Sequence, residues 1–289
     1  MKNKGLTMQT GTKNIGTSSA RQQMAQQQDE RNRKKYRELT RKMVEHGFNL
    51  RDYMSIYGQN LDAETYTQIC EDFIDSDNNN VAFVEPVKYK IDEEQYYRIY
   101  KTPLSNYGVL LVLVNPREHH ISKQLYYKLC LIAVAARGPY AGGPWNGDRG
   151  DAWGHEIACV RPEYLEPGKY KYLCQIACKT NGAALRNIDY NRLTTDQEFV
   201  DIFMVAAHKF EHYKAYGITP EKDGYSLVNP ILSRLVDISM NIPFTLYYGC
   251  LVAYARKYGI EKLEQAIGAY DESMLFHVRA ALIGGKEKK

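Results

Sequence analysis

The sequence predicts a mainly α-helical protein with a small β-insert at about 81–114 and a disordered, basic N-terminal arm. Three observations predict it. The first 28 residues carry little apolar material and are rich in Gln, Thr, Ser, Gly and Asn, too little to bury a core. Beyond Asp29, apolar residues mostly recur at helical spacing and the segments end in helix caps. Between 81 and 114 that pattern gives way to runs of Val, Ile and Tyr separated by turn residues. The domain reading is a flexible arm over 1–28 and a single, mainly helical body over 29–289.

The elements follow in chain order. An amphipathic helix is expected from Asp29 to about His46, with Tyr36, Leu39, Met43 and Val44 on one face and Gly47 as C-terminal cap. A second starts after Asp62, with Tyr66, Ile69, Cys70 and Phe73 inward, and Asp75–Asn80 forms a loop. Val81–Val84, Val87–Ile91, Gln95–Lys101 and Val109–Val114 read as the strands of the insert. Ile121–Arg137 is apolar nearly all round and reads as the central buried helix. A loop over 138–154 holds both tryptophans, Trp145 and Trp153, and loops of that length are often functional. A short helix near Tyr170–Lys179 ends at Asn181-Gly182. Thr195 and Glu198 form a capping-box pattern that opens a helix ending before Gly217. Asn229-Pro230 opens another. Phe244–Tyr258 follows, closed by Gly259, then short helices from Ile260 and after Asp271. No internal repeat is evident.

Charge is unevenly placed. Residues 1–42 hold 11 basic and 3 acidic side chains, a balance of +8, whereas the whole chain carries only +4 and the remainder therefore −4. A basic arm on a mildly acidic body points to a polyanion, or to the acidic body of a neighbouring copy. Tyrosine is over-used, with 24 Tyr against 8 Phe and 2 Trp. Tyr suits half-wet surfaces, subunit interfaces and base stacking, or simply replaces Phe in the core. The six cysteines follow no apolar leader, so reduced thiols in a cytosolic setting are expected rather than a disulfide framework. The longest uncharged run, between Asp237 and Arg256, is too polar to span a membrane.

Motifs for enzyme chemistry are sparse. Asp75-x-Asp77-x-Asn79 starts like a calcium loop, but Asn80 and Pro86 stand where the turn glycine and bidentate glutamate belong. Gly142 and Gly147 have phosphate-loop spacing, but Asp148 replaces the lysine. His155, Cys159, Cys174 and Cys178 form a set able to hold zinc, yet the three-residue gap between Cys174 and Cys178 also suits one buried helix face. His208, Glu211 and His212 match the spacing of inverted zinc peptidases. Helix phase instead turns both histidines away from the Phe199, Phe203, Ala206 and Phe210 stripe, onto a solvated face. A zinc-dependent hydrolase or zinc-stabilised domain is therefore the alternative, with no catalytic residue, metal or cofactor in the main reading.

The binding case needs only basic and aromatic surface. Arg31, Arg33, Lys34, Lys35 and Arg37 decorate the first helix. Lys88, Lys90, Tyr96, Arg98, Tyr100 and Lys101 lie in the expected insert, where strand alternation puts Tyr96, Arg98 and Tyr100 on one face. Tyr126-Tyr127-Lys128 and Lys169-Tyr170-Lys171-Tyr172 are similar patches, and Lys128, Arg137, Arg186 and Arg192 complete the candidate set. Cations neutralise phosphates while tyrosines offer stacking platforms, which suits single-stranded nucleic acid.

Gly47-Phe-Asn-Leu-Arg51, leading to Tyr57-Gly58, resembles the Gly-Phe-Asp-x-Arg turn of phlebovirus-type nucleoproteins, with Asn49 in place of Asp. The resemblance covers about a dozen residues. It implies a helical body with a groove for single-stranded RNA and an arm that docks on the next subunit. Coat proteins of flexuous filamentous viruses share that plan. The expectation is a self-associating structural protein of nucleocapsid or coat type, found in the virion or host cytoplasm, with RNA as partner and no membrane. A phage or particle protein that binds only protein partners is a further alternative.

Overall fold

The computed structural model describes residues 16–136, 155–180, 182–215, 235, 242–267 and 272–284. Among these residues every regular element is a helix and no strand is present. The α-helices are α1 (Gly16–Glu45), α2 (Leu50–Tyr57), α3 (Ala63–Ser76), α4 (Glu93–Asn106), α5 (Lys123–Ala135), α6 (Lys169–Thr180), α7 (Asp196–Ala215), α8 (Phe244–Tyr258), α9 (Ile260–Ile267) and α10 (Glu272–Gly284). The chain divides into two compact units, Met1–Phe83 and Val84–Lys289.

The mainly helical class stands, and the expected β-insert does not. Asp92 opens α4 with a capping box, taking the Gln95 N–H at 2.8 Å while the Gln95 side chain takes the Asp92 N–H at 3.0 Å. Tyr96, Ile99, Tyr100 and Leu104 then fall on one buried helical stripe. The Val-rich runs are two 3₁₀ helices, Asn78–Phe83 and Gly108–Leu113. Their three-residue period buries Val81 with Val84, and Leu111 with Val114. The β-propensity of Val, Ile and Tyr expresses packing on a half-buried surface, and a helix supplies such a surface equally well.

Contrary to the expectation of no internal repeat, a tandem repeat organises this region. Asn60, Lys90 and His120 stand thirty residues apart and all adopt the left-handed conformation, with φ of 59°, 52° and 55°. Each is followed by an apolar residue (Leu61, Ile91, Ile121) and then an N-cap (Asp62, Asp92, Ser122) whose side chain accepts the N–H three residues on. Preceding turns match too: Ile91 donates to the Pro86 carbonyl and Ile121 to that of Pro116, both at 3.2 Å. In each helix the fourth residue after the cap is a buried tyrosine, Tyr66, Tyr96 or Tyr126. One repeat is thus a 3₁₀ helix, a five-residue turn and an α-helix. Variants of it recur at Val160–Thr180, where Gly168 (φ 78°) precedes α6, and at Gly182–Ala215. Between the shared positions the side chains differ, with Lys88, Tyr89 and Lys90 corresponding to Glu118, His119 and His120, whereas Val84, Pro86, Ile91, Tyr96 and Tyr97 recur as Val114, Pro116, Ile121, Tyr126 and Tyr127.

In the second unit the helices stack in chain order, α4 on α5, α5 on α6, α6 on α7 and α7 on α8, with α9 and α10 against α8. This is nearest-neighbour packing of the kind repeat proteins use. The buried tyrosines stitch successive repeats. The Tyr126 hydroxyl accepts the Arg161 N–H at 2.8 Å, and that of Tyr170 accepts the Asp189 N–H at 3.1 Å. Arg161 and Asp189 hold the same place, one residue past a buried Val160 or Ile188. The expected central helix, α5, does lie between two neighbours.

At the α4–α5 junction the rung differs. Tyr96 meets His119 Nδ1 at 2.7 Å, and the ring of His119 lies 5.7 Å from that of Tyr96. Burial pushes the His119 pKa below its ordinary 6.5; Arg161 and His120 push the same way and Glu118 opposes them. Between the depressed folded value and 6.5 the unfolded chain binds more protons, so this contribution is complete above 6.5 and declines as pH falls through that window. Thermal unfolding from about pH 7.5 to about pH 5.5 is expected to lower Tm less in His119→Gln than in the parent. Equal slopes would assign the pH dependence elsewhere.

In the first unit α1 packs on α3, and α2 on the 3₁₀ helix Asn78–Phe83. Leu50, Tyr53, Tyr66, Ile69, Cys70 and Phe73 form its core. Asn80, almost fully buried, ties three segments together: it accepts the Leu50 N–H at 2.8 Å and donates to the carbonyls of Phe73 and Asp77. The helix expected from Asp29 begins at Gly16, and the first fifteen residues of the expected arm lie outside the described residues. So do the 138–154 loop and the Asn229-Pro230 helix start.

Candidate nucleic-acid interface

Helix phase decides which tyrosines face out. Tyr96 and Tyr100, four residues apart, are each 1 % exposed, with rings stacked at 4.3 Å and 7°. Neither can receive a base, which corrects their assignment as binding residues: on a helix they join the core stripe. Tyr97, Arg98 and Lys101 turn outward instead.

From that face a row of cation–aromatic contacts runs across three successive helices. Lys128 of α5 places its ammonium 3.5 Å from the ring centre of Tyr97 on α4. Lys169 of α6 does the same over Tyr127 of α5, at 4.6 Å. Tyr97 and Tyr127 are equivalent repeat positions, one past the buried tyrosine. Tyr172 of α6, 51 % exposed, lies near Tyr127, whose pKa is raised by burial first and by Tyr172 second. The row stops at α7. There Asp201 holds Lys171 at 2.9 Å and accepts Gln197 at 2.8 Å, and the Gln197 hydrogen bond followed by Lys171 keeps its carboxyl below the usual range. At exposed sites each cation–π contact contributes about 0.5–1 kcal/mol. A base stacked on an aromatic ring contributes about 1–3 kcal/mol. A base stacked on either ring would thus outweigh the ammonium it replaced.

The remaining sequence-predicted residues do not gather into one site. Arg31, Arg33, Lys34, Lys35 and Arg37 are all exposed on α1, in the first unit. Their helix packs on α3, which with its caps carries Asp62, Glu64, Glu71, Asp72, Asp75 and Asp77 and no basic residue. Burial acts to raise the Asp62 carboxyl, but hydrogen bonds from Thr65 and the charge of Arg33 outweigh it. Burial wins at Asp72 and raises it, against Gln68 and Arg37. The basic helix thus has an acidic dock within its own chain.

In the second unit Lys88 is tied to Glu85 at 2.7 Å, and Lys90 occupies the left-handed turn position. Arg192 pairs with Asp189 at 3.4 Å, and Arg186 is half-buried on the 3₁₀ helix Gly182–Asn187. Arg137 lies outside the described residues. Of the candidates, Lys128 stands in the tyrosine row, and Arg98 and Lys101 flank Tyr97 on α4. Tyr127, Lys169, Lys171 and Tyr172 lie in patches that the sequence singled out without being chosen as candidates, and the recurrence of Tyr-Tyr-Arg at 96–98 as Tyr-Tyr-Lys at 126–128 pairs Tyr97 with Tyr127.

Enzyme chemistry finds no comparable cluster. Among the described residues no group of three or more His, Cys, Asp or Glu side chains is placed to hold a metal. Burial pushes the thiols of Cys130 and Cys174 up to about 12, and raises Cys178 and Cys250 as well. These are buried core thiols that burial keeps protonated. His208 is exposed, with Nδ1 3.2 Å from the Tyr258 hydroxyl; the side chains of His155, Glu211 and His212 lie outside the described residues. An open groove of about 590 Å³ between α7, α8 and α10 is lined by Val200, Met204, Tyr248, Val252, Arg256 and Ala281 among others. No described helix is long and apolar enough to cross a membrane.

The Gly47–Gly58 segment has a local role. Gly47 turns the chain at φ 76° and Asn49 caps α2 in a reciprocal box with Asp52. Gly58 ends the helix by donating to the Met54 carbonyl at 3.1 Å. No family model, no curated protein and no solved structure matches the chain.

Proposed function

We propose that this chain is a non-enzymatic assembly protein of nucleocapsid or coat type that holds nucleic acid on the outer face of α4–α6. The observation that carries the proposal is the row of Tyr97, Lys128, Tyr127, Lys169 and Tyr172, flanked by Arg98 and Lys101. Cations spaced along stacked helices suit a polyanion with regularly spaced charge. In the same proposal α1 supplies self-association. Its basic residues and the acidic α3 are complementary, so an α1 helix from one copy has a matching surface on the next.

Phosphate contacts make binding salt-dependent. Four of the row's cations (Arg98, Lys101, Lys128 and Lys169) are expected to contribute a slope near −3 in log K against log salt, at about −0.7 per contact for a single strand. The double variant Lys101→Ala/Lys128→Ala should flatten the measured slope by about 1.4 with helix content unchanged. Titration of a labelled oligonucleotide over a salt series reads this directly, and an unchanged slope would remove the row from the interface.

A second reading, a particle protein that binds only protein, is favoured by apolar side chains on the last helices. Phe244 on α8 is 63 % exposed, and Phe276 and Ile283 on α10 are 70 % and 66 % exposed. Electron microscopy of the purified chain with and without RNA separates the readings. Assemblies that form equally well without RNA, in a protein with no affinity for it at low salt, support the second.

A further inference from the structure

The geometry points to a single-stranded polynucleotide bound at one base per helix, with bases on Tyr97, Tyr127 and Tyr172 and phosphates on Lys128 and Lys169, the cations that follow the first two platforms. This rests on the nucleic-acid reading above and deepens it. Three features carry it. The first two platforms are the same repeat position on neighbouring helices, and each already meets an ammonium from the next helix. Packed helices lie about 8–10 Å apart, and stacked helical repeats are a known way to present one base per repeat. The pattern also has an end. The cation and tyrosine exchange places on α6, where Tyr172 stands at the position of Lys128, and α7 offers Asp201, which repels phosphate and already holds Lys171. The row therefore provides three platforms but only two cation rungs. A duplex cannot use it, because paired bases are hidden within their own stack.

The test uses the full chain and fluorescence anisotropy with oligouridylate of about a dozen nucleotides, the wholly abasic oligomer of equal phosphate number, the matching duplex, and the DNA counterpart. The base-bearing single strand is expected to bind more tightly than both the abasic strand and the duplex. Tyr97→Ala, Tyr127→Ala and Tyr172→Ala should each weaken it by about 5- to 100-fold, without altering the salt slope. Tyr97→Phe, which keeps the ring, should bind like the parent. RNA and DNA strands that bind alike place recognition in base and phosphate; an RNA preference adds a contact to the 2′-hydroxyl, still on these platforms if the Tyr→Ala losses persist. Equal affinity for abasic and base-bearing strands would overturn the inference and leave the nucleic-acid reading intact. No binding of any strand at low salt would overturn both.

Discussion

Gly108→Ala is expected to lower the melting temperature of the second unit by about 6–12 °C. Gly108 opens the 3₁₀ helix that leads toward α5. A Cβ added there collides with the carbonyl oxygen of Ala133 and comes within 2.5 Å of Glu156 Cγ. Glu156 is the end of a flexible chain and can move. Ala133 cannot, because its carbonyl accepts the Ala136 N–H at 3.2 Å and closes the last turn of α5. Relief requires the 3₁₀ helix to lift off α5, a cost of about 3 kcal/mol, at the upper end for overpacking. In a unit of roughly 200 residues each kcal/mol moves Tm by about 2–4 °C. Gly249→Ala, inside α8, is the control of opposite sign. Its Cβ would lie 3.5 Å from Val200 Cγ2, an ordinary contact, and alanine restores up to about 1 kcal/mol of helix propensity. Calorimetry on both variants checks the pair; a Gly108→Ala protein that melts with the parent would show that the close approach is not needed.

Loss of a tyrosine rung has the second large effect. Tyr126→Ala removes a fully buried ring that packs edge-on against Tyr164 at 6.1 Å, and is expected to cost about 3–5 kcal/mol. Tyr126→Phe keeps the ring and deletes the hydroxyl that accepts the Arg161 N–H and bonds to the Cys130 thiol, a cost of about 1–2 kcal/mol. Tyr170→Phe deletes the equivalent acceptor for Asp189 and should cost the same. Urea unfolding of the three variants measures this. Matching losses in the two Tyr→Phe variants establish the rung as a property of the repeat, whereas a neutral Tyr126→Phe shows that water satisfies Arg161 equally well.

Local chemistry was legible where a cap or a glycine names a boundary. Asp62 was expected to start α3 and does; Thr195 and Glu198 mark the start of α7, and Gly259 ends α8. These signals act over three or four residues, so they survive any tertiary context. The insert was misread because Tyr96-Tyr-Arg-Ile-Tyr100 satisfies a strand and a helix alike. Only the Asp92–Gln95 capping box separates the two, and its Asp92 lies outside the expected strand Gln95–Lys101.

The candidate site was legible as composition and not as a surface. Tyr-rich basic patches stood out in the sequence, but the choice between Tyr96 and Tyr97 depends on whether the period is 2 or 3.6, which moves every side chain to a new face. Excess tyrosine divides between core and surface: Tyr53, Tyr66, Tyr96, Tyr100, Tyr126 and Tyr254 are core residues, while Tyr172 is half exposed.

By itself, then, the sequence determined the helical class, most helix starts and the basic character of the first helix, since these follow from propensity, caps and charge within a few residues. Tertiary structure decided that the thirty-residue recurrence is a helical repeat, that α3 offers α1 an acidic dock, and that Tyr97, Tyr127 and Tyr172 share one row. The reason is physical. The repeat is preserved in backbone turns, in the left-handed Asn60, Lys90 and His120, and in tyrosine hydroxyls that reach the next repeat, none of which requires the intervening side chains to match.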